Sequence, residues 1–275
     1  MDIEAAAAYA DRHAPHALVV RRGEQVVWEH YAADRGAAQP HALYSGTKAF
    51  WGVLALAAQR DGLLELDEPV ARTVAAWDDG ERKARVTLRE LLQLTSGIGF
   101  GGLGSAVPAY DKALAVAIKD PPGSTFTYGG IPLQVFGAVL ARKLAGRGLT
   151  PHAYLRERVL DPAGVAVASW RTLKDGTQPL PTGAFLTAHA WLRWGRYVLA
   201  AREELTPCFV GSTANPRYGL AWWLSPLAAH PDIVYASGAG GQALYLIPAE
   251  DAVVVRFGAS ASFKHDAFLK RLLAS

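Results

Sequence analysis

Tyr44-Ser45-Gly46-Thr47-Lys48, running into Ala49-Phe50-Trp51-Gly52-Val53-Leu54-Ala55-Leu56-Ala57-Ala58, is the stretch on which the fold turns. Residues 46–60 are rich in alanine and leucine and closed by Asp61-Gly62, the pattern of a helix with its stop signal. Residues 49–58 carry no charge anywhere around the helix, so it is expected to be buried. Ser45 and Lys48 stand three apart at its head, a spacing that puts both side chains on one face. An amine beside a hydroxyl can take its proton, and a helix N-terminus favours the negative charge that then develops. An N-cap serine followed by a solvated lysine would read the same way locally. The buried helix behind the pair weighs against that blander reading.

Toward the N-terminus, residues 4–12 are alanine-rich and suit a short helix. Two β-rich runs, 17–20 and 25–31, flank Arg21-Arg22-Gly23-Glu24, a hairpin signal with the glycine in the turn. Toward the C-terminus, helical segments at 88–94, 133–144, 153–160 and 188–201 alternate with loops such as 97–104 and Pro121-Pro122-Gly123. The pattern then changes to short strand-like runs at 218–224, 233–236, 243–247 and 252–257. Residues 263–273 close the chain as a helix, with Phe263, Ala267, Phe268 and Leu272 able to share a face. Strands at both ends with helices between predict an α/β (α+β) fold: one mostly antiparallel sheet assembled from about 1–45 and 216–275. A central, mostly helical region over about 46–215 is inserted into it, all within a single domain of 1–275.

Composition narrows the function. The chain has 275 residues, 51% of them hydrophobic and 19% charged, which excludes a mostly disordered protein. Twenty-eight basic residues against 25 acidic ones leave +3, too even to demand nucleic acid. The single cysteine, Cys208, excludes an internal disulfide framework. The ten apolar residues of 49–58 fall well short of the roughly 20 that span a bilayer. Met1-Asp2-Ile3-Glu4 opens acidic, without a secretory signal, so a cytoplasmic protein with no membrane partner is expected. The sequence does not define an oligomeric state.

Several local patterns have competing readings. Gly97-Ile98-Gly99-Phe100-Gly101-Gly102 matches a dinucleotide fingerprint but follows a helical run and leads to Pro108, so it reads as a loop. Gly238-Ala239-Gly240-Gly241-Gln242-Ala243 follows a strand and precedes another, so it lacks the helix that dinucleotide binding needs. Its glycines suit either a simple turn or close backbone approach to a ligand. G-x-S-x-G, H-E-x-x-H and the P-loop pattern are absent. His13 and His16 lie three apart without an indicated third ligand, so no metal site is expected. Tyr128, before Gly129-Gly130 and a helix, becomes a usable base only beside a positive charge. Trp222-Trp223 reads as core in preference to a substrate wall.

Taken in order, these pieces resemble the serine β-lactamase and penicillin-binding-protein superfamily, in particular its class C-like branch of carboxylesterases, D,D-peptidases and 6-aminohexanoate-dimer hydrolases. Tyr44-Ser45-Gly46-Thr47-Lys48 looks like the first motif, and Asp61-Gly62-Leu63-Leu64-Glu65-Leu66-Asp67-Glu68-Pro69-Val70 like the stretch after its helix. Val86-Thr87-Leu88-Arg89-Glu90-Leu91-Leu92-Gln93-Leu94-Thr95-Ser96-Gly97 matches the following helix and turn. Pro121-Pro122-Gly123-Ser124-Thr125-Phe126-Thr127-Tyr128 looks like the approach to the second motif, and Gly238-Ala239-Gly240-Gly241-Gln242 sits where the third lies. The resemblance implies that Ser45 is the acylated nucleophile, Lys48 holds or accepts its proton, and Tyr128 passes a proton to the leaving group. It also implies an oxyanion hole from the Ser45 N–H and one N–H among Gly240, Gly241 and Gln242, with no metal or organic cofactor.

Two departures bear on substrate. Gly130 replaces the asparagine of Tyr-x-Asn, and Gly238 stands where the third motif usually begins with lysine or histidine. Both losses count against β-lactam or peptidoglycan substrates, which offer an amide and a carboxylate to those side chains. The expected activity is therefore serine hydrolysis of a small-molecule ester or amide, with esterase favoured. A β-lactamase or D,D-peptidase is the same-class alternative. An acyltransferase or a catalytically idle binding relative is the other.

Overall fold

The computed structural model describes residues 1–78 and 80–274. Helix α1 (Ile3–Asp11), capped by the Asp2 carboxylate, leads into the hairpin of β1 (Pro15–Arg22) and β2 (Gln25–Tyr31). Short β3 (His41–Ala42) precedes a 3₁₀ turn (Tyr44–Lys48) that continues as α2 (Ala49–Arg60). Four helices follow: α3 (Leu88–Leu92), α4 (Tyr110–Leu114), α5 (Ile131–Leu144) and α6 (Pro151–Leu155), the last extended by a π turn (Arg156–Leu160). After β4 (Ser169–Trp170), β5 (Ala184–Leu186) and α7 (Ala188–Ala200), the chain returns to strands. These are β6 (Trp223–Leu224), β7 (Val234–Gly238), β8 (Gln242–Ile247) and β9 (Ala252–Gly258), and α8 (His265–Leu272) closes the chain.

The main sheet has the order β2-β1-β9-β8-β7-β6, every pair antiparallel, with β1 from the N-terminal part hydrogen-bonded to β9 from the C-terminal part. This is the antiparallel sheet expected from strands at both ends, and the β-lactamase/transpeptidase-like α/β arrangement that the family resemblance implies. Side chains alternate across it. Val19, Val255, Leu244 and Ala236 face the large core built on α2, α5 and α7, whereas Val20, Val254, Tyr245 and Tyr235 face α1 and α8. Both faces are covered, which is why every residue of β8 and β9 is buried and all but Gln242 and Arg256 are apolar or glycine.

The structure differs from the sequence reading in four places. The strand expected over 218–224 shrinks to β6, because Ala221 adopts φ +62° and donates its N–H to Leu92 O. The helix expected over 153–160 divides into α6 and the π turn. A second sheet, β3-β5-β4, has no counterpart in the sequence reading, since strands of two or three residues leave no period to read. Finally, the motif helix begins with a 3₁₀ turn whose first residue, Tyr44, sits at φ +47°.

Arg256 stands out on the α1/α8 face. Fully buried, it donates to Gly241 O at 2.7 Å, Gly240 O at 3.3 Å and His13 O at 2.5 Å, and its guanidinium lies 3.9 Å from the centre of the Phe263 ring. One cation thus ties the β7–β8 turn to the end of α1. Arg256→Ala should lose about 3 kcal/mol of stability, since it removes the donor of the Gly241 and His13 carbonyls and empties the space of a fully buried side chain, while Gly240 O keeps only Ser260 N–H. Urea denaturation measures this, and a loss below about 0.5 kcal/mol would remove the turn-holding role from Arg256.

Candidate active site

Ser45 occupies the 3₁₀ turn that α2 extends, and the left-handed backbone of Tyr44 delivers it there. Such a conformation costs a non-glycine residue roughly 1–2 kcal/mol and is kept where the surroundings hold it. Lys48, one turn on, is 1% exposed. Its Nζ lies 2.8 Å from Ser45 Oγ and 3.2 Å from the Pro181 carbonyl. Among the described residues no carboxylate pairs with it, and burial lowers its pKa to about 7. The amine is therefore deprotonated in substantial part near neutrality, which a solvated lysine is not.

Tyr128 closes the other side. Burial pushes its phenol above the ordinary range, with the neighbouring Ser45 hydroxyl opposing that shift. Lys48 Nζ lies 5.0 Å from the Tyr128 ring centre. The positive charge that could have made Tyr128 a resting base is muted by the same burial that neutralises Lys48. Tyr128 therefore rests as a phenol, a proton donor, and the basic group of the pair is Lys48.

Ser45, Lys48 and Tyr128 line one cavity of about 400 Å³. Its other walls include Leu103, Pro181 and Trp223, with the Trp223 ring stacked on Tyr128 at 5.7 Å. The tandem tryptophans thus divide: Trp222 is fully buried core and Trp223 is cavity wall. Gly102, Leu103 and Gly104, from the loop that only superficially matches a nucleotide fingerprint, form part of the wall. Gly130 N donates to Gly101 O at 2.9 Å, and this contact docks the loop beside Tyr128. Neither this loop nor Pro181 carries a sequence signal for the role, since both reach the cavity only through packing.

The two glycines that depart from the family pattern are sterically required. A Cβ on Gly130 would sit 2.0 Å from Gly102 O, and one on Gly238 would sit 2.1 Å from Leu43 O. No side chain fits at either point without moving backbone.

The structure places the third segment differently from expectation. Ser237, Gly238 and Ala239 line the cavity, whereas Gly240, Gly241 and Gln242 do not. Gly240 and Gly241, both at φ +80°, form the turn held by Arg256. Gln242 is a clamp: its amide donates to Ala239 O and Gly258 O and accepts from Gly258 N. The Ala239 N–H, like that of Gly240, has no acceptor among the described residues, and of the two only Ala239 lines this cavity. His13 and His16 also part company, His13 hydrogen-bonding Ser262 and His16 stacking on His41. Among the described residues no cluster of three metal-ligating side chains occurs, and no helix is long and apolar enough to cross a membrane.

Similar structures include a class C β-lactamase from Rhodobacter sphaeroides (TM-score 0.73, 16% identity, 98% of this chain and 97% of that one). A D-stereospecific amidohydrolase from a Streptomyces species superposes with TM-score 0.76 at 17% identity, covering 100% and 99%. EstCE1, a hydrolase with promiscuous acyltransferase activity, gives 0.77 at 15% identity, covering 98% and 97%. At these identities the likeness is one of fold. In sequence, the monacolin J acid methylbutanoyltransferase of Aspergillus terreus is 28% identical over 155 residues, covering 46% of this chain. The matched region spans 37% of that curated relative's length. The match to the family model described as Beta-lactamase runs over residues 5–274, so the chain belongs to the Beta-lactamase family of serine hydrolases.

Proposed function

We propose that this protein hydrolyses small esters or amides through an acyl-enzyme on Ser45, with esters the better substrates. The observation that carries this reading is the buried Lys48 amine, 2.8 Å from Ser45 Oγ and depressed to about 7. In the proposed sequence neutral Lys48 takes the Ser45 proton as Oγ attacks the carbonyl carbon. The oxyanion that forms is met by the N–H of Ser45 and that of Ala239. Loss of one such donor typically costs about 10² to 10³ in rate. Tyr128 then protonates the departing alcohol or amine, and water releases the acid. A fluorophosphonate probe followed by peptide mapping tests the assignment: label on Ser45 supports it, and label elsewhere, for instance on Ser96, removes its basis.

Substrate preference follows from Gly130 and Gly238. Among the described residues the only charged side chain lining the cavity is Lys48, which is occupied with Ser45. The amide and ring carboxylate of a penicillin would lose water there and meet no free cation or side-chain amide, only hydroxyls such as those of Thr182 and Ser237, a loss that can discriminate by orders of magnitude. A short neutral aryl ester needs only the nucleophile and the oxyanion donors. Its kcat/KM should exceed that of nitrocefin or benzylpenicillin under matched conditions. A tenfold preference for the β-lactams, about 1.4 kcal/mol in transition-state binding, would reverse this reading of the two glycines.

Acyl transfer to an alcohol is a second reading, favoured by the sequence match to a methylbutanoyltransferase over part of the chain. The partition of a common acyl-enzyme between water and an added alcohol distinguishes the two.

A further inference from the structure

A second cavity, of about 470 Å³, adjoins the first, with Tyr44 and Ala239 lining both. Three nitrogen-bearing side chains from separate segments meet in its wall: His16 on β1, Arg35 from the loop after β2, and His41 on β3. Among the described residues no acidic side chain lines it. His41 is 7% exposed, its ring held between His16 at 5.6 Å and Phe257 at 4.4 Å, and its Nε2 is buried without a hydrogen-bond partner. Among the described residues Arg35 Nε meets only the Asp34 carboxylate, 3.3 Å away in an ion pair without hydrogen-bond alignment. That carboxylate is 74% exposed, so solvent screens it. Buried polar nitrogens are seldom left unpaired, so the orphaned Nε2 of His41, a residue of this cavity's wall, calls for an acceptor.

The charge balance indicates which acceptor. Burial, reinforced by the charges of Arg35 and Arg256, holds His16 below the ordinary imidazole range, with Asp34 opposing. Burial and the neighbouring His16 and Arg35 bring His41 to about 4. Near neutrality both rings are uncharged, each able to offer one N–H, and Arg35, whose Asp34 partner lies in solvent, supplies the one full positive charge among the described lining residues. A planar monoanion with two oxygens matches a guanidinium fork beside N–H donors. A phosphate dianion would leave one charge uncompensated.

We propose that this second cavity is a subsite for a carboxylate carried on an extended arm of the substrate, remote from the carbonyl that Ser45 attacks. The inference rests on the ester or amide hydrolase reading and adds the substrate class, carboxylate-bearing esters or amides. It is compatible with poor β-lactam turnover, because a penicillin carboxylate sits beside the scissile bond, whereas this site begins beyond Tyr44 and Ala239.

The test compares matched ester pairs. On the acyl side these are 4-nitrophenyl hydrogen glutarate and 4-nitrophenyl pentanoate, and on the leaving-group side 4-acetoxybenzoate and phenyl acetate. In the wild type the carboxylate-bearing member of one pair should exceed its partner in kcat/KM by about tenfold or more, after correction for the intrinsic hydrolysis rates. Arg35→Gln should bring that ratio near one, and Arg35→Lys, which keeps the charge but not the fork, should fall between. Which pair responds identifies the side of the scissile bond that carries the arm. A wild-type ratio near one in both pairs, or a high ratio that Arg35→Gln leaves intact, overturns the proposal while leaving the hydrolase reading in place. Binding of glutarate by calorimetry is independent of turnover. If no ester is cleaved but glutarate binds the wild type about tenfold more tightly than Arg35→Gln, the subsite stands and the hydrolase reading falls.

Discussion

Ser45→Ala should lower kcat/KM toward a short aryl ester by about 10⁴ or more, close to the uncatalysed rate for the acyl-transfer step. The size follows from what the alanine removes. Without Oγ no acyl-enzyme forms, and the remaining oxyanion donors and cavity can only position water. Lys48 is left beside a methyl group, its amine still buried and still close to Pro181 O. The fold should survive, because Ser45 carries neither a helix cap nor a core contact in the turn that precedes α2. Thermal melting of Ser45→Ala within a few degrees of the wild type, with the fluorophosphonate label gone, is the expected pair of results. Retention of more than about a hundredth of the activity would show that another nucleophile does the work.

Lys48 carries the second large effect and gives it a pH signature. Its pKa is depressed to about 7 by burial, and the neutral amine is the reactive form. Activity therefore rises with pH through about 7 and levels above it. One pH unit below, about a tenth of the amine remains neutral, and kcat/KM should be about tenfold lower. Tyr128, shifted upward by its own burial, stays protonated across this range and sets no limb near neutrality. Lys48→Arg keeps a positive charge but has no neutral basic form, since a guanidinium does not deprotonate in proteins. Lys48→Met keeps the length without the nitrogen. Both should lose about 10² to 10⁴ in kcat/KM, and both should lose the rising limb. A limb at pH 10 in the wild type, or a Lys48→Arg variant with near-normal turnover, would mean that Lys48 only orients Ser45. The profile requires a neutral ester, so that ionisation of the substrate does not contribute.

Much of this protein is legible in its residues alone, for reasons that lie in short-range physics. Helices and strands announce themselves through apolar periodicity, so β1, β2, β8, β9, α5 and α7 fall close to where the residues place them. Ser45 and Lys48 share a face at a spacing of three, and that proximity is local and independent of the rest of the fold. Strands at both ends of the chain suffice to predict one sheet built from both, and β1 does pair with β9.

What the tertiary structure decided depends on atoms distant along the chain. A lysine becomes a base near neutrality only when other segments exclude water from it, and Pro181, far along the chain, supplies the carbonyl beside its amine. The glycines at 130 and 238 read in sequence as lost substrate contacts, yet backbone carbonyls of Gly102 and Leu43 occupy the space any side chain would need. That Ala239 lines the first cavity while Gly240 and Gln242 line only the second follows from the turn that Arg256 and Gln242 hold in place. His16, Arg35 and His41 have no mutual spacing that a sequence could signal, because β1, a loop and β3 are brought to one cavity only by tertiary packing, with His41 stacked on Phe257 of β9. Local sequence determines which residues can act as neighbours within a turn. Burial, and with it pKa and the charge a cavity can hold, is a property of the packed chain alone.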